Sequence, residues 1–415
     1  MAAGAILLLA APHSYRLAAF KQAASSVDAD VLIGLDTAPG FRPSDPSIVP
    51  LRFADSGAAV QSITDRLNGR ALVAVISVDD GATELAQHVS EAFSLRRNGA
   101  GSEIAGRDKF VMRSHFAEAG LPTPDHAALS PADDPGPVAT AIGFPVVIKP
   151  TRLNGSRGVI RADSPDEVIA AFSRTCAILH AEGFADNEPC LIIERFIPGN
   201  EVAVEAVMTD GSLTVLALFD KPDPLDGPFF EESIYVTPSR LPESIQSGIQ
   251  EMARAMAHAV GIRHGPVHAE LRINDAGIWP IEIAARSIGG MCSTVFEFSA
   301  GLSLEEVIVR NAVGTLDLGG PGPARAAGVM MIPIPGSGML RAVHGIEAAL
   351  AVPGITGVDI TAPLNAPIVA LPEGSSYLGF IFATGGRPDE VEAALRAAHS
   401  RLRIDIDPLL PLRPV

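Results

Sequence analysis

The sequence predicts an α/β fold with an α+β remainder, arranged in three blocks. Three observations predict it. Over residues 1–100, short apolar runs alternate with helical patterns, as in a parallel sheet with helices on its faces. Further on, strands come as hairpin pairs, turning at Asp210-Gly211 and across Asp275-Ala276, which is antiparallel chemistry. The 415 residues also suggest about three domains at roughly 150 residues each.

The elements follow in order. Ala5–Ala11, Val31–Leu35 and Ala71–Ser77 are strands by length, apolarity and polar flanks; Tyr15–Ala24, Ala58–Leu67 and Thr83–Phe93 are helices. No GxGxxG follows the first strand, so a dinucleotide site has no support there. The small-residue stretch Asn98–Gly106 marks a boundary. A helix, Asp108–Ala119, is closed by Gly120 and the turn Pro122-Thr123-Pro124. Pro131–Pro137 is a loop, Pro145–Lys149 a strand, Pro150–Arg157 a loop and Gly158–Ala162 a strand. Ser164–Thr175 is a helix with Ser164 as N-cap and Pro165 at its first position. Cys190–Phe196, Glu201–Thr209 and Leu213–Asp220 are strands, and Glu243–Val260 is a long amphipathic helix. His268–Asn274 and Gly277–Ile283 form a hairpin, and Ser303–Ala312 is a helix. Gly319–Pro323 reads as a linker. The final stretch runs strand Gly328–Ile332, helix Gly345–Ala351, strands Gly357–Ile360 and Leu378–Thr384, and helix Pro388–Leu402. The blocks are therefore 1–104, 105–317 and 318–415.

Composition excludes several classes. Against 48 Asp+Glu stand 31 Lys+Arg, a net charge of −17. Long-range repulsion then opposes nucleic acid and anionic membrane, while a local basic pocket for a small anion remains open. Hydrophobic content of 47% with 19% charged residues supports a large core rather than disorder. The run Ala5–Ala11 lacks the basic flank of a signal peptide, and no stretch reaches the roughly 18 apolar residues of a membrane span. A cytoplasmic protein is expected. Cys176, Cys190 and Cys292 are too few and scattered for a disulfide framework or zinc site, and read as buried reduced thiols.

Three segments carry chemistry. In FPVVIKPTRLNGSRGVI, residues 144–160, a strand delivers Lys149, and the loop after it holds Asn154, Gly155, Ser156 and Gly158 between Arg152 and Arg157. Glycine lets backbone N–H groups close on phosphate oxygens while the cations neutralise charge. An ordinary hairpin is the alternative, and GxxxxGK[ST] is absent. In the second segment, HAELRI and WPIEIAAR place Glu270 and Glu282 on adjacent strands. Two converging carboxylates repel unless a cation lies between them, and hard divalent ions take oxygen ligands. The alternative is strand charges paired with Arg272 or Arg286. Arg286 follows Glu282 by four residues and can face the same cavity. In the third, LIIERFIPGNEVAVE, a strand ends at Glu194-Arg195-Phe196 and resumes at Glu201. Its exposed main chain can pair with an adenine edge, and Glu201 can accept ribose hydroxyls; acidic strand ends are also commonplace.

Together and in this order, the three segments resemble the ATP-grasp carboxylate–amine ligases, with the closest likeness to the bacterial L-amino acid ligase branch, which forms dipeptides. The likeness covers about 105–317, and the segment from Ala327, including GVMMIPIPGSGMLRAVHGIEAALAVPGI and YLGFIFATGGRPDEVEAALRAA, resembles that branch's C-terminal subdomain. The resemblance implies an ATP-grasp architecture: an N-terminal parallel α/β domain, a central two-part ATP-grasp domain and a small C-terminal α+β subdomain. It also implies roles. Lys109 and Lys149 match lysines that contact the nucleotide phosphates. Asn154–Gly158 matches the loop over the γ-phosphate. Glu194 and Phe196 match the adenine hinge, Phe196 through its backbone, and Glu201 the ribose-binding acid. Glu270 and Glu282 match acids that hold one or two Mg²⁺, with Mn²⁺ able to substitute. Arg286 matches the arginine that stabilises the acyl phosphate. Many relatives carry asparagine where this chain has Ala284, which puts a second metal in doubt.

The implied reaction phosphorylates a carboxylate with ATP, and an amine then attacks to give an amide, ADP and phosphate. The implied substrates are amino acids, and a homodimer is one option. His268, two residues before Glu270 on the same face, serves as substrate contact or base, or as a satisfied structural histidine. Lys221 lies near the nucleotide, or is a solvated loop lysine. Glu231 or Glu232 binds an α-ammonium group, or the two are a surface pair. Gly289 and Gly290 leave room for a substrate side chain. Two other readings compete: a ligase using a non-amino-acid carboxylate or carboxyphosphate, and a catalytically silent nucleotide-binding protein.

Overall fold

The computed structural model describes residues 4–38, 40–185, 188–289, 291–295, 301–319 and 325–408. The first apolar runs form a parallel sheet in the order Ile48–Leu51, Asp30–Asp36, Ala5–Ala10 and Leu72–Ser77. All six residues of Ala5–Ala10 are buried, as a central strand covered on both faces requires. Helices Leu17–Ala24, Ser56–Leu67 and Thr83–Ala92 cover it. The Ile48–Leu51 strand escaped the sequence reading, being four residues long with Pro50 inside it.

A smaller antiparallel sheet runs His126–Leu129, Leu191–Arg195, Val146–Pro150 and Ile160–Ala162. Two helices back it, Pro135–Ile142 and Pro165–Ala181. The first corrects the loop expected over Pro131–Pro137: Asp134 accepts from the Gly136 N–H with Pro135 in the first turn, a helix start hidden in a turn-rich string. The second runs six residues past Thr175, because Ile178 and Leu179 continue its apolar stripe.

The largest sheet has eight strands: Gly277–Ala284, Gly265–Asn274, Asn200–Thr209, Ser212–Asp220, Ile234–Thr237, Ala326–Ile332, Gly379–Gly385 and Ile355–Ile360. Every neighbouring pair is antiparallel. Strands from the last block thus extend the sheet that the acid-bearing hairpin begins. Helix Glu243–Ala259 packs on the hairpin end, and helix Pro388–His399 on the other. The latter stops short of Leu402, since Arg403–Asp407 forms an edge strand with Gly338–His344. Helix Leu304–Val313 begins in a complete capping box of Ser303 and Glu306. Of the expected Gly319–Pro323 linker, residues 320–323 lie outside the described residues. Cys190 and Cys292 are buried and Cys176 is half-buried. Among the described residues no helix is long and apolar enough to cross a membrane.

Candidate active site

The site begins with period-2 patterning in the large sheet. On the Gly265–Asn274 strand, Val267, Ala269 and Leu271 enter the core beneath helix Glu243–Ala259. The opposite face therefore presents His268, Glu270 and Arg272. Register sets their neighbours: Glu270 lies opposite Glu282, His268 opposite Glu205 and Ala284, and Arg272 opposite Glu201. Lys221 sits in the midst of the acids, its ammonium 2.7 Å from Glu201, 2.5 Å from Glu232 and 3.0 Å from Glu270. It is buried, which removes the solvated-lysine alternative. Arg272 pairs with Glu201 at 2.8 Å rather than with Glu270 or Glu282. Tyr235 donates its hydroxyl to Glu232 at 2.9 Å. Glu232, and not Glu231, joins this cluster.

These contacts decide the charges. Burial pushes the Glu270 carboxyl up, but the Lys221 ammonium and His268 overcome it and hold it well below the usual carboxylate range. For Glu232, burial and the charge of Glu270 win over Lys221 and raise it to about 7. Burial pulls His268 down, yet Glu205 at 3.2 Å and Glu270 at 3.3 Å raise it to about 9. Both ring nitrogens therefore carry protons at neutral pH, and His268 is a cation rather than a ready base.

The phosphate-binding candidates come from the smaller sheet. Lys149, near the end of Val146–Pro150, pairs with Glu194, which also takes Arg113 Nε at 2.8 Å. Burial pulls the Lys149 ammonium below its ordinary value despite Glu194. Burial pushes Glu194 up, but Arg113 and Lys149 outweigh it and keep it ionised. Lys109 donates to the Leu153 carbonyl at 2.9 Å and lies 3.5 Å from Glu282. The Phe196 N–H is committed to the Pro145 carbonyl, and its buried ring is flanked by the guanidinium groups of Arg161 and Arg272.

A cavity of about 670 Å³ gathers Lys109, Lys149, Asn154, Gly155, Ser156, Glu194, Phe196, Glu201, Glu232, Glu270 and Glu282. A second, of about 1840 Å³, is lined by His268, Ala284, Arg286, Gly289 and residues of the first and last blocks. The two share Asn154, Gly155, Ser156, Glu232, Glu270 and Glu282. The glycine loop and the acids thus form the wall between a chamber that holds both lysines and a larger one. Gly158 lines neither; its N–H donates to the Pro372 carbonyl at 2.8 Å. Gly290 lies outside the described residues.

The donor set fits a hard divalent ion. Glu201, Glu232 and Glu270 offer oxygens within 4.8 Å of one another, gathered on the Lys221 ammonium, and Glu282 faces Glu270 across the hairpin, on the wall shared by both chambers. Sequence reasoning missed Asp80. Its carboxylate takes Arg286 Nε at 2.8 and 2.9 Å and Asn154 Nδ2 at 3.0 Å. It sits in the Asp79-Asp80-Gly81 turn after the edge strand Leu72–Ser77, and its signal was positional: ligands gather at the carboxyl ends of parallel strands. Arg113, Glu205 and Arg16 were missed too, since nothing local distinguishes them.

An ATP-grasp domain family matches residues 142–295, and the family L-amino acid ligase C-terminal domain 2 matches 330–407. An L-amino acid ligase from Bacillus licheniformis superposes with a TM-score of 0.82 at 25% identity, covering 98% of this chain and all of that one. A carboxyaminoimidazole ribonucleotide synthase from Aspergillus clavatus, solved with ATP, reaches 0.70 at 17% identity over 97% and 99% of the chains, a likeness of fold. Alanine–anticapsin ligase of Bacillus subtilis is 27% identical over 48% of this chain and 45% of its own length. D-Alanine–D-alanine ligase of Ralstonia pickettii is 24% identical over 54% and 69%. A protein of Sinorhizobium fredii is 23% identical over 74% of this chain. The chain spans 62% of the length of that relative and about half the length of the anticapsin ligase.

Proposed function

We propose that this chain, a member of the ATP-grasp family with the C-terminal domain of L-amino acid ligases, is an ATP-dependent ligase that joins two amino acids. The observation that carries the reading is the shared wall: the same loop and acids border a chamber holding two lysines and a larger chamber holding Arg286. A γ-phosphoryl group at that wall can be handed from one chamber to a carboxylate in the other.

The chain's residues divide the work. Lys109 and Lys149 neutralise the nucleotide phosphates, and the Asn154–Gly158 loop covers them and excludes water. Phe196 borders the adenine site, and Glu201 offers an acceptor for ribose hydroxyls. Glu270 and Glu282, with Glu232 adjacent, would hold Mg²⁺, which when bound neutralises phosphate charge and orients the transferred group. Lys221 then has to yield the carboxylates it holds, which supports a role for it at the phosphates. Arg286 stabilises charge on the acyl phosphate and on the tetrahedral intermediate formed when the amine attacks. His268, its two ring nitrogens committed to Glu205 and Glu270, positions those carboxylates rather than removing a proton. Gly289 leaves the larger chamber open beside Arg286.

The test is incubation with ATP, Mg²⁺ and pairs of amino acids, measuring phosphate and amide. Phosphate release that requires a pair and matches amide formation is the expected result. Nucleotide binding without turnover on any pair would replace the ligase with a silent module.

A further inference from the structure

Arg16 is a buried cation with no ion-pair partner among the described residues. It caps the Leu17–Ala24 helix of the first block, is 9% exposed and lines the larger chamber. Its Nη2 donates to the Ser287 hydroxyl, and its guanidinium lies 5.5 Å from the centre of the Phe20 ring. Among the described residues no carboxylate comes within the 4.0 Å of an ion pair. Two of the acids around it are engaged elsewhere. Asp79 accepts from the Ala11 N–H and the Ser14 hydroxyl. Asp80 holds Arg286 and Asn154. Glu205, which feels the charge of Arg16, accepts from His268 and the Ile288 N–H through Oε2, while its buried Oε1 has no hydrogen-bond partner and lies beyond ion-pair distance of the guanidinium. A guanidinium stays charged in a protein, and burying it unpaired is costly. Such a group, with a planar fork matched to carboxylate, is built to receive an anion.

We propose that Arg16 binds the free α-carboxylate of the amine substrate and so restricts that substrate to α-amino acids. The inference rests on the ligase reading above. Joining two amino acids brings two carboxylates into one chamber. One is phosphorylated beside Arg286; the other has to remain unreacted and still be neutralised. Ser287, the hydrogen-bond partner of Arg16, is the next residue after Arg286. The two guanidinium groups therefore border one chamber from opposite blocks of the chain. In an α-amino acid the amine and the carboxylate share one carbon. A carboxylate seated on Arg16 turns its amine toward a carbonyl held at Arg286. A simple amine would leave Arg16 unpaired, the kind of penalty that gives strong discrimination.

The full chain, Arg16→Gln and Arg16→Lys are compared with ATP, Mg²⁺, a donor amino acid and one of three amines. These are an α-amino acid, its carboxamide, and hydroxylamine, which attacks the acyl phosphate to give a hydroxamate and release phosphate. Arg16→Gln should raise KM for the α-amino acid on the order of 10²-fold. It should leave hydroxamate formation within about twofold, since hydroxylamine has no carboxylate to seat. Wild type should use the carboxamide poorly, and the variant no worse. Arg16→Lys, keeping the charge without the fork, should raise the same KM about tenfold and serves if Arg16→Gln does not fold. Equal loss with hydroxylamine, an unchanged KM for the α-amino acid, or a wild type indifferent to the carboxamide would each overturn the proposal. A wild type that makes neither amide nor hydroxamate defeats the ligase reading itself, an outcome distinct from a working enzyme whose variant fails to discriminate.

Discussion

Glu270 and Glu282 face each other across one hairpin but differ in what they hold. Glu270 anchors Lys221 and His268, whereas the ion-pair partner of Glu282 among the described residues is the Lys109 ammonium, and its side chain is 29% exposed. Glu282→Gln should therefore lower turnover by about 10²-fold or more while shifting Tm by no more than about 2 °C. Glu270→Gln should abolish turnover and also destabilise the fold by about 3 kcal/mol, because it strands buried cations. Melting curves and phosphate release on both variants check this pair; near-normal turnover in Glu282→Gln removes it from the site. The same cluster makes the nucleotide-free protein sensitive to pH. His268 is raised from 6.5 to about 9 and Glu232 from 4.5 to about 7. A group raised on folding stabilises fully below its unfolded value, and that stabilisation is lost as pH climbs through the folded value. Stability should thus fall between pH 4.5 and 9, His268 contributing at most about 3 kcal/mol over its upper part. Denaturant melts across that range should show the decline, and His268→Gln should flatten it above pH 6.5.

At the scale of elements, the loop between Val146–Pro150 and Ile160–Ala162 is short of regular structure yet heavily tethered. Asn154 reaches Asp80, Arg157 Nε donates to the Glu373 carbonyl at 2.8 Å, and Gly158 holds the Pro372 carbonyl. Gly158 has φ +71°, and a Cβ there would sit 2.8 Å from Pro150 Cγ. Gly155, with φ +64°, packs against the Ser375 carbonyl. Gly158→Ala should cost about 1–3 kcal/mol and raise KM for ATP about tenfold, because the loop can no longer lie where it borders both chambers. Faster proteolytic cleavage at Arg152 or Arg157 would report the loosening, and an unchanged KM would count against the loop's role.

On the scale of the molecule, the larger chamber exists only where three blocks meet. The first contributes Arg16 and Asp80, the second Arg286 and the acids, and the last Tyr377 and Phe380. Asp80 ties them, holding Arg286 from the hairpin side and Asn154 from the loop. On the outside, Arg174 pairs with Glu373 of the last block through two contacts, at 2.5 and 2.9 Å. Asp80→Ala should leave nucleotide binding intact but open the chamber to water. Phosphate released per amide formed should rise severalfold and kcat/KM fall about tenfold. A ratio that stays at one would show that Asp80 is not needed for closure.

The amino-acid sequence alone determined much of this protein. Period-2 apolarity around Glu270 and Glu282 set the hairpin and aimed both acids at one face. The strand before Asn154-Gly155-Ser156 placed Lys149 beside a glycine loop, and N-cap and turn residues marked most helix starts. Elements without such local signals went unread: Ile48–Leu51, His126–Leu129 and Ile234–Thr237 are four-residue strands whose stability comes from their partners, and Gly338–His344, the middle strand of a small sheet, was unread too. Only the tertiary structure decided the charges and the walls. That His268 is a cation, that Lys221 sits among three carboxylates, that Asp80 clasps Arg286 and that Arg16 has no ion-pair partner among the described residues all depend on groups far apart in the chain. Electrostatic energy follows distance in space and loss of water, and neither quantity is written along a single strand of residues.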